Sequence, residues 1–250
     1  MAQNLNFGQH FLTDTKIIKN WIDISEINSF DKILEIGAGE GNITGGLAER
    51  GAEITAYEID KQYLRQLTLL TKKYSNLKIV MEDALKHNWV EYTKIISNTP
   101  YFLSERIITK AIMEEIPVMT LIVGATLAEK LKGGEGRVGI LVNMHYKIEF
   151  SQEVPKESFT PPPRSTSVLI KLTKKAEIRP EDQIITSILA RRGKTKNAII
   201  RALVDGGKTK REARATLYAM SLTSESLEKP TSKITKKMIL RLKGGLVENT

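Results

Sequence analysis

The chain has no cysteine, which excludes disulfides and thiolate metal sites. Histidine is almost as scarce, and His10, His87 and His145 are too scattered to suggest a metal cluster. No uninterrupted apolar stretch approaches membrane-spanning length, and Met1 to Leu12 lacks the cationic start and apolar core of an export signal. Internal repeats and low-complexity segments are also missing. These absences set the expectation of a soluble, cytoplasmic protein with no metal and no membrane-spanning segment; a monomer is expected beside them. Negative charge is in deficit too: 38 Lys and Arg face 29 Asp and Glu, a formal net charge of +9. Such a surplus favours a polyanionic partner such as nucleic acid or an anionic membrane surface.

At 250 residues the chain suffices for one large domain, or one domain with a small appendage. From Asp31 to Leu172 short apolar runs alternate with helical patterns. The strand candidates are KILEI (Lys32 to Ile36), EITAYEI (Glu53 to Ile59), LKIVM (Leu77 to Met81), KIIS (Lys94 to Ser97), MTLIV (Met119 to Val123), VGILV (Val138 to Val142) and SVLIKL (Ser167 to Leu172). Between them, KQYLRQLTLLTKKY (Lys61 to Tyr74) and SERIITKAIMEEI (Ser104 to Ile116) carry apolar residues at helical spacing. The alternation predicts an α/β fold with a mostly parallel, doubly wound sheet. The last two strand candidates have no helical stretch between them, which predicts an antiparallel pair at one edge. Beyond a polar linker, KKAEIRPED (Lys174 to Asp182), the pattern predicts three or four helices and no strand. Lys and Arg well outnumber Asp and Glu there, so this segment supplies most of the net positive charge. The expected organisation is a catalytic sheet domain over residues 1–175 and a small basic helical domain over residues 176–250.

ILEIGAGEGNIT (Ile33 to Thr44) places Gly37, Gly39 and Gly41 directly after the first strand. Glycine there permits a tight turn and close backbone approach to a ligand, with the amide end of the next helix beyond. Glu58, in AYEID, lies 21 positions beyond Gly37, the spacing at which an acid accepts hydrogen bonds from both hydroxyls of a ribose. Asp83, in MEDAL, is positioned to receive an adenine amine. Two cofactors place an acid on an adenosine ribose. The NAD fingerprint is G-x-G-x-x-G, whereas here the glycines fall as G-x-G-x-G with Glu35 ahead of them. That E-x-G-x-G-x-G pattern resembles the opening loop of methyltransferases that bind S-adenosylmethionine.

Asn98-Thr99-Pro100-Tyr101, at the end of the KIIS run, resembles the (N/D)-x-P-Y signature of amino-methyltransferases. An amine conjugated with a ring is a poor nucleophile. An Asn98 amide oxygen and the Pro100 carbonyl can accept its two N–H groups and steer the lone pair toward a methyl donor, while Tyr101 offers a ring on which a flipped base stacks.

These motifs, with FGQHFLTD (Phe7 to Asp14) before them and FTPPPRSTSVLIKL (Phe159 to Leu172) after, follow the order and spacing of the KsgA/Erm family of rRNA adenine N6,N6-dimethyltransferases, which the chain resembles over nearly its whole length. The resemblance implies a Rossmann-like class I methyltransferase sheet, S-adenosyl-L-methionine as cofactor and rRNA as partner. It implies catalytic roles for Asn98, Pro100, Tyr101 and Phe159, whose ring faces Tyr101 across the target adenine. The implied cofactor-binding set is His10, Leu12, Gly37, Gly39, Glu58, Ile59, Asp83, Ala84 and Asn98. RRGKTKNAIIRAL (Arg191 to Leu203) resembles the basic helix of the KsgA branch, which dimethylates two adjacent adenines near the 3′ end of small-subunit rRNA during ribosome biogenesis. RNA contacts are then expected from Arg191, Arg192, Lys194, Lys196 and Arg201, within a pre-ribosomal small subunit. An Erm-type enzyme acting on large-subunit rRNA, and an assembly factor whose binding outweighs its catalysis, are the alternatives. The chain departs from the family pattern at Phe102, where Asn, His or Gln is usual, at GATLAEKL (Gly124 to Leu131), where Q-x-E is expected, and at Glu135.

Overall fold

The computed structural model describes residues 9–98 and 100–247, the side chain of Tyr101 excepted. In chain order the elements are β1 (Phe11–Leu12), α1 (Thr15–Ile24), β2 (Lys32–Ile36), α2 (Thr44–Ala48), β3 (Glu53–Tyr57), α3 (Leu64–Lys73), β4 (Leu77–Val80), β5 (Lys94–Ser97), α4 (Tyr101–Met113), β6 (Val118–Gly124), α5 (Ala125–Gly133), α6 (Gly136–His145), β7 (Tyr146–Val154), β8 (Phe159–Thr160) and β9 (Ser167–Lys174). The helices α7 (Pro180–Ala190), α8 (Thr195–Asp205), α9 (Lys210–Ala219), α10 (Ser224–Glu228) and α11 (Lys236–Val247) follow.

The apolar runs form a seven-stranded sheet of order β4-β3-β2-β5-β6-β9-β7. Strands β2 to β6 are parallel, and β9 runs antiparallel to β6 on one side and to β7 on the other. The central strands are buried because helices cover both faces of a parallel sheet: β2 is buried from Ile33 onward and β5 along its whole length. Contacts divide the chain into two compact units. One comprises the chain up to Glu129 with Tyr146–Lys174, and the other Lys130–His145 with the chain from Lys175 on.

Three sequence expectations are corrected. VGILV is not a strand but the middle of helix α6, buried from Val138 to Val142. A short apolar run enclosed on all sides has no polar face, so periodicity cannot separate strand from helix. The antiparallel partner of β9 is β7, from the stretch read as a link. Its burial is confined to Tyr146 and Val154 at its ends, with two partly buried positions between them, because it is the sheet edge. Among the described residues the C-terminal segment carries five α-helices rather than three or four, the extra one being the five-residue α10. Within it, α7 begins with Pro180 in its first turn, and α9 begins with a capping box between Thr209 and Glu212.

Candidate active site

In the sheet, β2 lies between β3 and β5, so the chain leaves β2 toward opposite sides and a crevice opens at the carboxyl ends of these strands. The glycine loop lines that crevice. Gly37 and Ala38 donate their N–H groups to the Tyr57 carbonyl at 2.9 and 3.1 Å. Gly39 has φ +54°, and a Cβ on it would stand 2.7 Å from the Phe11 ring, so only glycine fits. Its N–H donates to Glu58 Oε2 at 2.8 Å, while Asp60 N–H donates to Glu58 Oε1 at 2.8 Å. The buried Glu58 carboxylate is thereby fixed in orientation, with each oxygen keeping a lone pair for a further donor. The helix after the loop, α2, has five residues and no side-chain cap. Its second and third residues, Gly45 and Gly46, are poor helix formers.

The crevice is a cavity of about 290 Å³. His10, Leu12, Gly37, Gly39, Glu58 and Ile59 line it, as do Asp83, Ala84, Asn98, Pro100 and Phe159. Sequence reasoning assigned all of these to the site, and the fold brings them together. The side chain of Tyr101 lies outside the described residues, as do Phe7, Gly8 and Thr99. Asp83 spends one oxygen on the Leu85 N–H at 3.0 Å, and Ile59, 54% exposed, adds an apolar surface at the cavity edge.

The N-terminal segment is tied over one wall of the cavity. β1 pairs antiparallel with β8, so that Leu12 stands opposite Phe159. The Leu12 carbonyl accepts the Asn42 side chain at 3.1 Å, and His10 Nδ1 lies 2.8 Å from the Pro161 carbonyl oxygen. Asn98 Nδ2 donates to the His10 carbonyl at 3.0 Å, which leaves Asn98 Oδ1 as an acceptor at the cavity. Its neighbour Ser97 is held by a hydroxyl bond to the Ile36 carbonyl at 2.8 Å, so the ends of β2 and β5 cannot shear apart without breaking a buried contact. The Pro100 carbonyl accepts the Leu103 N–H at 2.9 Å as α4 starts, keeping one lone pair in reserve. Phe159 is only 3% exposed, its ring largely covered by the core.

Beneath the loop, Glu35 is buried and its Oε2 has no hydrogen-bond partner among the described residues. Burial, reinforced by the charge of Glu58, pushes its carboxyl up to about 7.

Of the five cations expected to meet RNA, Arg192, Lys196 and Arg201 are exposed. Lys194 pairs with Glu228 at 2.6 Å on the surface. Arg191 is engaged in the fold, donating to the Ser187 carbonyl at the end of α7 and pairing with Asp205. Residues that sequence reasoning did not assign to the site also line the cavity, among them Phe11, Asn42, Leu103 and Arg106. A signal for Arg106 was present, since it follows Phe102 by four positions on the same helix face.

The lining suits one of the two cofactors left open above. Glu40, Glu58, Glu82 and Asp83 are acidic, and Arg106 is the one Lys or Arg among the described lining residues. A pyrophosphate would meet net repulsion there, whereas a sulfonium cation on an adenosine would not.

Comparison with known proteins agrees with the geometry. The family model for ribosomal RNA adenine dimethylase matches residues 1–234. A ribosomal RNA small subunit methyltransferase A of Alkaliphilus oremlandii is 30% identical over 221 residues, covering 80% of this chain and 77% of that protein. A probable ribosomal RNA small subunit methyltransferase A of Methanococcus maripaludis is 30% identical over 218 residues, covering 82% of each. Among solved structures, a dimethyladenosine transferase from Plasmodium falciparum superposes with a TM-score of 0.69 at 22% identity, covering 96% of this chain and 98% of that one. The 23S rRNA methyltransferase ErmE gives 0.66 at 22% identity, covering 95% and 99%. These two structures establish the shared fold, and with the match along residues 1–234 the chain belongs to the ribosomal RNA adenine dimethylase family.

Proposed function

We propose that this protein transfers methyl groups from S-adenosyl-L-methionine to N6 of adenine in rRNA, dimethylating two adjacent adenines near the 3′ end of small-subunit rRNA within the assembling subunit. It acts as a cytoplasmic monomer without a metal. The observation that carries this reading is Asn98: its amide nitrogen is committed to the His10 carbonyl, so its oxygen is presented at the cavity that Glu58 and Asp83 also line.

Bound there, S-adenosylmethionine supplies an electrophilic methyl on a sulfonium, so no strong base is required. Glu58 accepts the two ribose hydroxyls with the lone pairs left over from Gly39 and Asp60. Asp83 accepts the adenine amine through its free oxygen, and Ile59 packs on the ring. Asn98 Oδ1 and the Pro100 carbonyl accept the two N–H groups of the target amine and orient its lone pair, a positioning effect that supplies much of the rate. Tyr101 holds the flipped base by stacking, with Phe159 behind it. Residues 176–250 form the RNA-binding part, led by the exposed Arg192, Lys196 and Arg201. The names of the relatives support small-subunit over large-subunit rRNA as substrate.

The test is label transfer from radiolabelled S-adenosylmethionine to unmethylated small subunits, large subunits and naked rRNA offered separately, with the product mapped by nuclease digestion and mass spectrometry. Dimethyladenine near the 3′ end of small-subunit rRNA is the expected result. Label confined to large-subunit rRNA would overturn the substrate assignment, and no label in adenine would overturn the reaction.

A further inference from the structure

Four aromatic side chains among the described residues line the cavity: Phe11, Tyr57, Phe102 and Phe159. Tyr57 and Phe159 are buried, and Phe11 is half-buried, its ring edge against Tyr63 at 5.5 Å between centroids. Phe102 is different, 68% exposed in the first turn of α4 while still lining the cavity. At the rim of the crevice the exposed Phe102 ring offers an apolar face whose burial under a bound strand would be favourable. One turn along the same helix stands Arg106, exposed, and the one Lys or Arg among described lining residues that include four carboxylates. Among the charged lining residues, Arg106 is therefore the one that attracts a phosphate approaching the crevice. The two side chains are offset by about 6 Å along the helix axis, the order of separation between a nucleobase and its own phosphate.

The geometry points to Phe102 and Arg106 as a clamp for the nucleotide adjoining the target adenine. The Phe102 ring stacks on the neighbouring base, and the Arg106 guanidinium takes that nucleotide's phosphate. This inference rests on the adenine methyltransferase reading above and adds to it a recognition element outside the base pocket. Stacking is indifferent to which base is offered, so the clamp fixes the register of the strand rather than its sequence.

The test uses small-subunit rRNA ligated to a synthetic 3′ oligonucleotide and assembled into subunits, with one of the two adjacent adenines replaced by another base so that a single target remains, and an abasic residue placed on either side of that target. For the wild-type protein, KM should rise roughly ten- to hundredfold with the abasic residue on one side only. Phe102→Ala should raise KM on intact RNA by a similar factor, Phe102→Tyr should not, and the affinity of Phe102→Ala for S-adenosylmethionine should be unchanged. The decisive result is non-additivity: Phe102→Ala should lose nothing more on the abasic substrate. If the two losses multiply, Phe102 does not touch the neighbouring base and the clamp is refuted while the reaction stands. Arg106→Gln should lower the slope of log KM against log salt by about 0.7 to 0.9, and an unaltered slope would remove the phosphate contact. A wild-type protein that methylates no adenine in any subunit or rRNA would overturn the functional reading and the clamp together.

Discussion

Replacing Glu35 by Gln tests the electrostatics under the glycine loop. The Glu35 carboxyl goes from an ordinary 4.5 in the unfolded chain to about 7 in the fold. Between those values the folded protein holds a proton that the unfolded chain has released, so stability falls as pH rises through this window and is fully present below it. At about 1.4 kcal/mol per pH unit, the loss is about 3 kcal/mol, complete a little above pH 7. The Glu35→Gln side chain cannot ionise and escapes the loss. Its buried amide carries a constant cost that shifts the whole curve without changing its slope. Thermal unfolding of both proteins without cofactor at pH 5, 6, 7 and 8 isolates the slope. The stability difference should move by about 3 kcal/mol in favour of the variant, roughly 6 to 12 °C in Tm for a chain of this size. Parallel curves across that range would show that Glu35 titrates as an ordinary carboxylate, and the argument from burial would fail. Because Glu58 contributes to the upward push, a Glu58→Gln background should narrow the difference.

Glu58→Gln by itself should weaken S-adenosylmethionine binding about tenfold or more in calorimetry, since charge-assisted hydrogen bonds become neutral ones; unchanged affinity would remove the ribose role. Gly39→Ala places a methyl 2.7 Å from the Phe11 ring at a positive φ, so it should cost about 1 to 2 kcal/mol in denaturant unfolding and loosen the N-terminal segment, measured as faster amide exchange at Leu12 and Thr13. Wild-type exchange there would mean that the loop does not hold that segment. Converting Arg192, Lys196 and Arg201 together to Gln should reduce the slope of log affinity against log salt for rRNA by about 2 to 3, with cofactor affinity intact; an unchanged slope would move the RNA surface elsewhere.

How much of this was legible in the sequence depends on how local each feature is. The glycine loop, Glu58, Asp83 and Asn98 sit at strand ends, where a short motif and its spacing determine what is presented, and they converge on one cavity. Features that depend on what covers a segment were not legible. The VGILV run of α6 is enclosed on every side, and Gly139 within it packs so tightly that a Cβ would meet the Lys130 carbonyl at 2.6 Å. Such contact is a property of the fold and leaves no periodic trace. The edge strand β7 failed in the opposite direction, because KIEFSQE alternates too little when one side of the strand has no neighbour. Charge is ambiguous for the same reason. Arg191 and Arg192 are identical as sequence, yet Arg191 pairs with Asp205 fourteen residues away while Arg192 stays exposed. A surplus of cations therefore predicts that a domain meets a polyanion, and only the ion pairs of the fold decide which cations remain to do so.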